Sequence, residues 1–367
     1  MNKQELVENI YTCASCGYCR FGCPVFSEIG FERFTARGRM LIFKRILEGK
    51  FPYTEDVFRS IYMCSQCANC EEICPTGINF IEIIDALKID LAREGKLPES
   101  QKAMREIVRE KSNPFGEARE ERGAWLPKDY QVKESEALYF VGCAASYSLN
   151  RTSRSVMKIL EKVKFDFTTL GNLEYCCGEP LFRMGEIGLG NELVEKNSLE
   201  FERLGVKTIF ASCPGCLKNL KHKYPPEFRV LHTVQLFSEL IKEGRVEFGK
   251  ELNQRVIYHD GCDIGRHVGI YEEPREILQS IPGVELLEFD YNREEAICCG
   301  GPLVSQDPGI AKKIASRRVE EAVEKGADVI VTTCPTCFVN FKDGAKLVEG
   351  KVDIQEISQL LLKLLKK

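Results

Sequence analysis

The 367-residue sequence predicts a multidomain α+β protein, an all-α first part followed by a duplicated α/β part with parallel sheets related by a pseudo-twofold. Three observations carry this. Apolar residues recur at helical spacing through the first hundred positions. Ten cysteines beyond residue 136 fall into two matching sets about 120 residues apart. Within each set short β-rich runs alternate with helical ones, as in parallel strands joined by helices. At about 100 to 200 residues per domain the length allows two or three domains. The expected boundaries are 1–96, a connector over 97–135, and two repeats over 136–250 and 251–367.

Composition narrows the class. Apolar residues make up 44% and charged residues 29%, too balanced for a disordered chain. The net charge of −4, from 51 basic and 55 acidic residues mixed along the chain, argues against binding driven by nucleic-acid phosphates. No stretch approaches the roughly 18 apolar residues of a membrane span. The start, Met1-Asn2-Lys3-Gln4-Glu5-Leu6, lacks the apolar core of a secretory signal, so a cytoplasmic protein is expected. In that reducing setting 18 cysteines rich in C-x-x-C pairs read as metal ligands, not disulfides.

Taken in order, the first elements surround two cysteine runs. Cys13, Cys16, Cys19 and Cys23 precede Pro24, and Cys64, Cys67, Cys70 and Cys74 precede Pro75. This C-x2-C-x2-C-x3-C-P run holds pairs of cubane [4Fe-4S] clusters, the fourth cysteine of each run crossing to the other cluster. The expected ligand sets are Cys13, Cys16, Cys19 and Cys74, then Cys64, Cys67, Cys70 and Cys23. Structural zinc would more usually take two close pairs. Between the runs, Ala36 to Glu48 and a segment capped by Thr54 read as helices. A third is expected from about Asn79 to Glu94, burying Phe80, Ile83, Ile84, Leu87 and Leu91. Residues 97 to 135, with Pro98, Pro114, Pro127 and the charged Glu117 to Arg122, break the periodicity and read as the connector.

The repeat comprises Cys143, Cys176, Cys177, Cys213 and Cys216, then Cys262, Cys298, Cys299, Cys334 and Cys337, offset by 119, 122, 122, 121 and 121 residues. Cys177-Gly178 matches Cys299-Gly300, Cys213-Pro214-Gly215-Cys216 matches Cys334-Pro335-Thr336-Cys337, and Asn219 matches Asn340. Leu138 to Val141, Thr208 to Ala211, Val256 to Tyr258 and Val329 to Val331 read as buried strands. Arg154 to Lys162, Asn191 to Leu204 and Ile310 to Lys325 read as helices. Each strand ends shortly before a cysteine, and ligand crevices of open parallel sheets lie beyond strand carboxyl ends, so five cysteines per copy should converge there. Val234 to Leu240 and Ile354 to Leu361 should begin matching amphipathic helices. The last, with Ile357, Leu364 and a Lys363, Lys366, Lys367 end, is expected to pack on the sheet, not on a membrane surface.

Two adjacent thiolates are hard to place on separate corners of one cube but suit an iron-sulfur core of another shape. The patterns C-x32-CC-x35-C-x2-C and C-x35-CC-x34-C-x2-C, with Tyr258-His259-Asp260-Gly261-Cys262 and Cys298-Cys299-Gly300-Gly301, resemble the CCG cysteine-rich domain of heterodisulfide reductases. Residues 23 to 64, with Phe34-Thr35-Ala36-Arg37-Gly38-Arg39, resemble the helical ferredoxin domain of respiratory iron-sulfur subunits. Asn113-Pro114-Phe115-Gly116 also resembles the reductase family. The resemblance covers nearly the whole chain and implies two noncubane [4Fe-4S] clusters, one per five-cysteine set, beside the two cubanes, with no flavin or heme in this chain. It implies an oxidoreductase of the D-subunit type, working under anaerobic conditions. Electrons would enter through the cubanes, and a small disulfide would be reduced, or formed, between the paired clusters. The implied partner is a membrane cytochrome b or a flavin-containing subunit, which could tie the chain to the cytoplasmic membrane face. An alternative is the electron-transfer subunit of a flavin-dependent 2-hydroxy acid or glycerol-3-phosphate dehydrogenase. A zinc scaffold is the non-enzymatic alternative.

Among the remaining polar residues, His259 and His267 flank Cys262 and could donate a proton to a thiolate or substrate sulfur, though a backbone-satisfied histidine at a strand end is the plainer reading of His259. His222 and His232 read as surface or core. Arg183, Lys221 and Arg266 could face an anion, although solvated side chains are the commoner outcome. Asn219 and Asn340, at one offset in both copies, are expected to support the cysteines.

Overall fold

A computed structural model of the chain describes residues 3–366; Met1, Asn2 and Lys367 lie outside the described residues. The first part is helical. Helices Lys3–Tyr11, Ala36–Leu47, Glu55–Tyr62 and Phe80–Arg93 bury Leu6, Ile10, Met40, Phe43, Ile61 and Ile84 in one core. Thr35 and Thr54 cap two of them, each hydroxyl accepting a backbone N–H from Gly38 or Val57. The connector departs from expectation. Glu99–Lys111 is a helix that buries only Val108, so its sequence shows weak periodicity. Pro98, read as a breaker, sits at its N-cap, where a missing N–H costs nothing.

Two parallel sheets follow, and the chain is a mixed α+β protein with a duplicated α/β part. Strands β1 (Ala137–Phe140), β2 (Thr208–Ala211) and β3 (Arg229–His232) lie in that order; β4 (Gln254–Tyr258), β5 (Val284–Leu287), β6 (Val329–Thr332) and β7 (Asp353–Glu356) lie in the order β5-β4-β6-β7. Strands β1, β2, β4 and β6, each an apolar run, fall where the sequence predicts them. Strands β3, β5 and β7 do not appear in the prediction because each is an edge strand with charged or half-exposed residues, such as Arg229, Glu285 and Asp353, in place of an apolar run. Ile354 accordingly belongs to β7, and the last helix begins at Ile357.

The copies exchange helices. Helix Asn150–Lys162 of the first packs against Ile357–Leu364 of the second, and Glu272–Ser280 of the second packs against Thr233–Lys242 of the first. The side chains repeat the exchange: Gln359 Nε2 donates to Thr152 at 2.9 Å, and Gln235 Nε2 to Glu273 at 3.2 Å. Such reciprocity is what a twofold relation produces. The last helix, with Ile357, Leu360, Leu361 and Leu364 buried, thus covers the other copy's helix more than its own sheet. Among the described residues no helix is long and apolar enough to cross a membrane.

Candidate iron-sulfur centre

The ferredoxin-like runs fold into two cysteine groups. Cys13, Cys16, Cys19 and Cys74 line one small cavity, with Cys16 exposed; Cys23, Cys64 and Cys67 line a second, and Cys70 borders both. The Phe34 to Arg39 segment serves both groups. Arg37 N–H donates to Cys19 Sγ at 3.2 Å, and the Cys23 thiol donates to Phe34 O at 3.3 Å. The buried Arg39 is tied to Ser60 O. Burial pushes the Cys23 thiol up to about 11. Deep thiols of this kind ionise only when a cation takes the place of the proton, which is what a metal supplies.

In the duplicated part Cys143, Cys213, Cys262 and Cys334 follow the ends of β1, β2, β4 and β6 by two to four residues, where parallel strands leave a crevice. All but Cys213 are buried. Cys177 and Cys299, at equivalent places, are both drawn below the usual thiol range, as is Cys213 beside Cys216. Hydrogen bonds from Cys176 and Cys216 hold Cys177 down at about 6, and those from Cys298 and Cys337 push Cys299 well below its usual range. In Cys-Cys-Gly the glycine has φ of +89° at Gly178 and +81° at Gly300, a left-handed turn that sends the chain away from the thiols into the next helix. The asparagines work as a pair: Asn219 Nδ2 donates to Cys177 O at 2.8 Å, and Asn340 Nδ2 to Cys299 O at 2.6 Å. Backbone N–H groups of Gly300 and Gly301 donate to Cys298 and Cys299 sulfur at 3.4 and 3.3 Å.

Nine of these ten cysteines, all but Cys298, line one cavity of about 230 Å³ between the copies, joined by Cys64. The charge of Cys213 reaches its equivalent thiol Cys334 across it and helps raise that thiol. The tenth, Cys298, packs with Cys262 against Cys67, whose thiol is hydrogen bonded to it and thereby drawn well below its usual range. One ligand candidate of the second ferredoxin-like group therefore touches the second copy. All eighteen cysteines are free thiols despite this crowding. Buried sulfur donors with backbone N–H groups aimed at them suit soft, iron-sulfur metal chemistry.

Charged residues surround the cavity, and of these Arg122, Glu174, Glu179, Lys218 and Asp263 were missed in the sequence. Arg122, assigned to a connector, is buried against Glu174 and donates to Cys143 Sγ at 3.4 Å. Arg183 pairs with Glu179 at 2.8 Å and Asp263 at 3.1 Å; Lys218 pairs with the same two acids at 2.9 and 3.3 Å. Contrary to expectation, Arg183 and Arg266 are not solvated but bridge to the first part, through Ser65 O and Cys67 O. Lys221 is exposed. His267 Nε2 bonds Gln66 O at 2.8 Å and lies 3.7 Å from Asp263, so it joins the same clamp. His259 is fully buried, against no backbone partner, with Cys299 and Cys337 close by. The signal for Asp263 and Arg122 was weak because neither has a like residue at its place in the other copy.

Comparison with known proteins bears on this arrangement. Residues 9–78 match the family described as 4Fe-4S dicluster domain, and residues 137–221 and 256–342 each match the cysteine-rich (CCG) domain. The sequence is 29% identical to the D-type subunit of the dihydromethanophenazine:CoB–CoM heterodisulfide reductase of Methanosarcina barkeri, over 95% of this chain and 92% of that protein. The chain is a heterodisulfide reductase D-like protein. It thus belongs with iron-sulfur oxidoreductases. The D-like chain is also 35% identical to the probable iron-sulfur-binding oxidoreductase FadF of Bacillus subtilis, over 82% of its length but 46% of that protein. It is 31% identical to the EtfAB:quinone oxidoreductase of Syntrophomonas wolfei, over 83% of its length and again 46% of that protein. Its fold matches a hypothetical protein from Helicobacter pylori with a TM-score of 0.58, at 12% identity, over 99% of this chain and 73% of the other.

Proposed function

We propose that the D-like chain is the catalytic subunit of a disulfide-reducing, or disulfide-forming, iron-sulfur oxidoreductase. The observation that carries this is the cavity that nine of the ten cysteines of the two sets line together. Residues 1–96 would hold two cubane clusters, on Cys13, Cys16, Cys19 and Cys74 and on Cys64, Cys67, Cys70 and Cys23. Residues 97–135 would connect them to the copies over 136–250 and 251–367, each holding a noncubane [4Fe-4S] cluster on its five cysteines. When bound, such a pair supplies single electrons and iron with affinity for sulfur, which suits the reaction R–S–S–R′ + 2 e⁻ + 2 H⁺ → RSH + R′SH.

The protein's own part is to hold and shield. Glu179, Arg183, Lys218 and Asp263 neutralise one another and fix the copies in register, while Met104, Pro114, Phe115 and Pro302 border the cavity with apolar surface. Electrons would pass inward from exposed Cys16 towards buried Cys67 and the second copy. They would come from another redox subunit, a membrane cytochrome b or a flavin-containing one, that could hold the chain at the cytoplasmic membrane face. The similarity to FadF and to an EtfAB:quinone oxidoreductase favours a second reading, a relay between a flavoprotein and a quinone.

Anaerobically purified protein should contain about 16 iron atoms per chain and reduce small disulfides with a chemical electron donor. Cys177→Ser should abolish that turnover and spare the ferredoxin-type paramagnetic signals. About eight iron atoms would remove the noncubane clusters, and full iron without disulfide turnover would leave the relay.

A further inference from the structure

The two five-thiol cradles match in their cysteines and differ in what else reaches them. Tyr139-Phe140-Val141-Gly142-Cys143 aligns with Tyr258-His259-Asp260-Gly261-Cys262, so His259 stands where the first copy has Phe140. Both are fully buried. Phe140 is held by packing, its ring edge-on to Phe201 at 6.2 Å. His259 packs in the same manner, edge-on to Phe341 at 4.7 Å and Phe289 at 6.2 Å. A phenylalanine would meet that packing need as well, so packing does not explain the nitrogens.

No hydrogen bond of standard geometry reaches either ring nitrogen of His259, although His259 is among the groups that lower the Cys299 thiol. Leaving a buried donor unpaired forfeits its hydration without return, and such burial is rare. What the imidazole faces is sulfur: one ring nitrogen, Cys299 Sγ and Cys337 Sγ lie within 4.8 Å of one another. The first cradle receives its donor from elsewhere. Arg122, buried and paired with Glu174, reaches Cys143 Sγ at 3.4 Å.

We propose that His259 donates an N–H to the iron-bound sulfur of Cys299 in the second cradle, as Arg122 does to Cys143 in the first, so that equal thiol sets hold two clusters at unequal reduction potentials. This rests on reading the copies as paired cluster sites. A donor on a metal-bound sulfur stabilises the extra electron of the reduced state and raises the potential. A guanidinium is a charged donor and an imidazole is a neutral or weaker one, so the two shifts differ in size. His259 and Arg122 are then positioning residues that make the centres accept electrons in turn.

The test uses the full chain, loaded anaerobically and labelled with ¹⁵N-histidine, with redox titration followed by electron paramagnetic resonance. The wild type should show ¹⁵N coupling to one non-ferredoxin signal. His259→Phe, which copies the first cradle, should remove that coupling and lower the midpoint of that signal alone, with iron per chain unchanged. His259→Gln, which retains an N–H, should restore part of the shift, and Arg122→Lys should move the other signal. Absence of ¹⁵N coupling together with unchanged midpoints in His259→Phe would overturn the proposal, as would a common shift of both signals. Iron near eight atoms per chain would overturn the paired-cluster reading itself, and this is told apart because no second pair of signals would exist to titrate.

Discussion

His232 and Glu356 cap matching helices in the two copies, and both are fully buried. His232 Nδ1 accepts the Val234 N–H at 3.2 Å, and burial pushes its pKa down to about 3, so the ring stays neutral. Glu356 Oε2 accepts N–H groups from Ser358 at 3.1 Å and Gln359 at 3.3 Å, yet burial outweighs these bonds and raises the carboxyl to about 7. The folded state therefore holds a proton that the unfolded chain releases at ordinary carboxyl pH. That stability is complete below about pH 4.5 and is lost as pH rises through 7, by roughly 3 kcal/mol. Glu356→Gln keeps the acceptor without the charge. Its Tm should exceed that of the parent at pH 8 and approach it at pH 5.5, measured by thermal unfolding of the loaded chain. The cysteines were legible because their spacing is fixed by metal chemistry. These caps were not, since a histidine and a glutamate at one position leave no common letter to compare.

The short helix Glu179–Met184 ends at Gly185, φ +96°, where a Cβ would stand 2.3 Å from Lys88 O on helix Phe80–Arg93. That contact joins the helical part to the first copy. Gly185→Ala should cost about 2–4 kcal/mol, from backbone strain and a clash with main chain that cannot swing aside. Gly205→Ala, with φ of +70° but open space around it, should cost only about 1 kcal/mol. Denaturant unfolding of the two variants separates the terms. Elements with one strong signal were legible before the structure: the capped helices after Thr35 and Thr54, and the apolar strands β1, β2, β4 and β6. Strands β3, β5 and β7 and helix Glu99–Lys111 were not, because half-exposed elements with at most two buried side chains carry no apolar period.

Across the whole molecule, thiol exposure falls from Cys16 at the surface to Cys67, Cys262 and Cys298 inside. Cys16→Ser should therefore stop electron supply from an external donor while leaving thiol-induced paramagnetic signals of the duplicated part, as checked by rapid-freeze spectroscopy with and without added thiol. Signals lost on both counts would place the break elsewhere. The sequence disclosed the two cysteine groups and the repeat but not their junction, since Cys67 and Cys298 lie 231 positions apart and nothing local marks their contact. The exchanged helices have a further result. Each repeat hides its apolar flank only beneath a segment supplied by its sibling, so a chain severed between them would yield halves that must each find another of their kind. The architecture is that of a homodimer whose two halves have been spliced into one polypeptide, free thereafter to diverge residue by residue on either side of its axis.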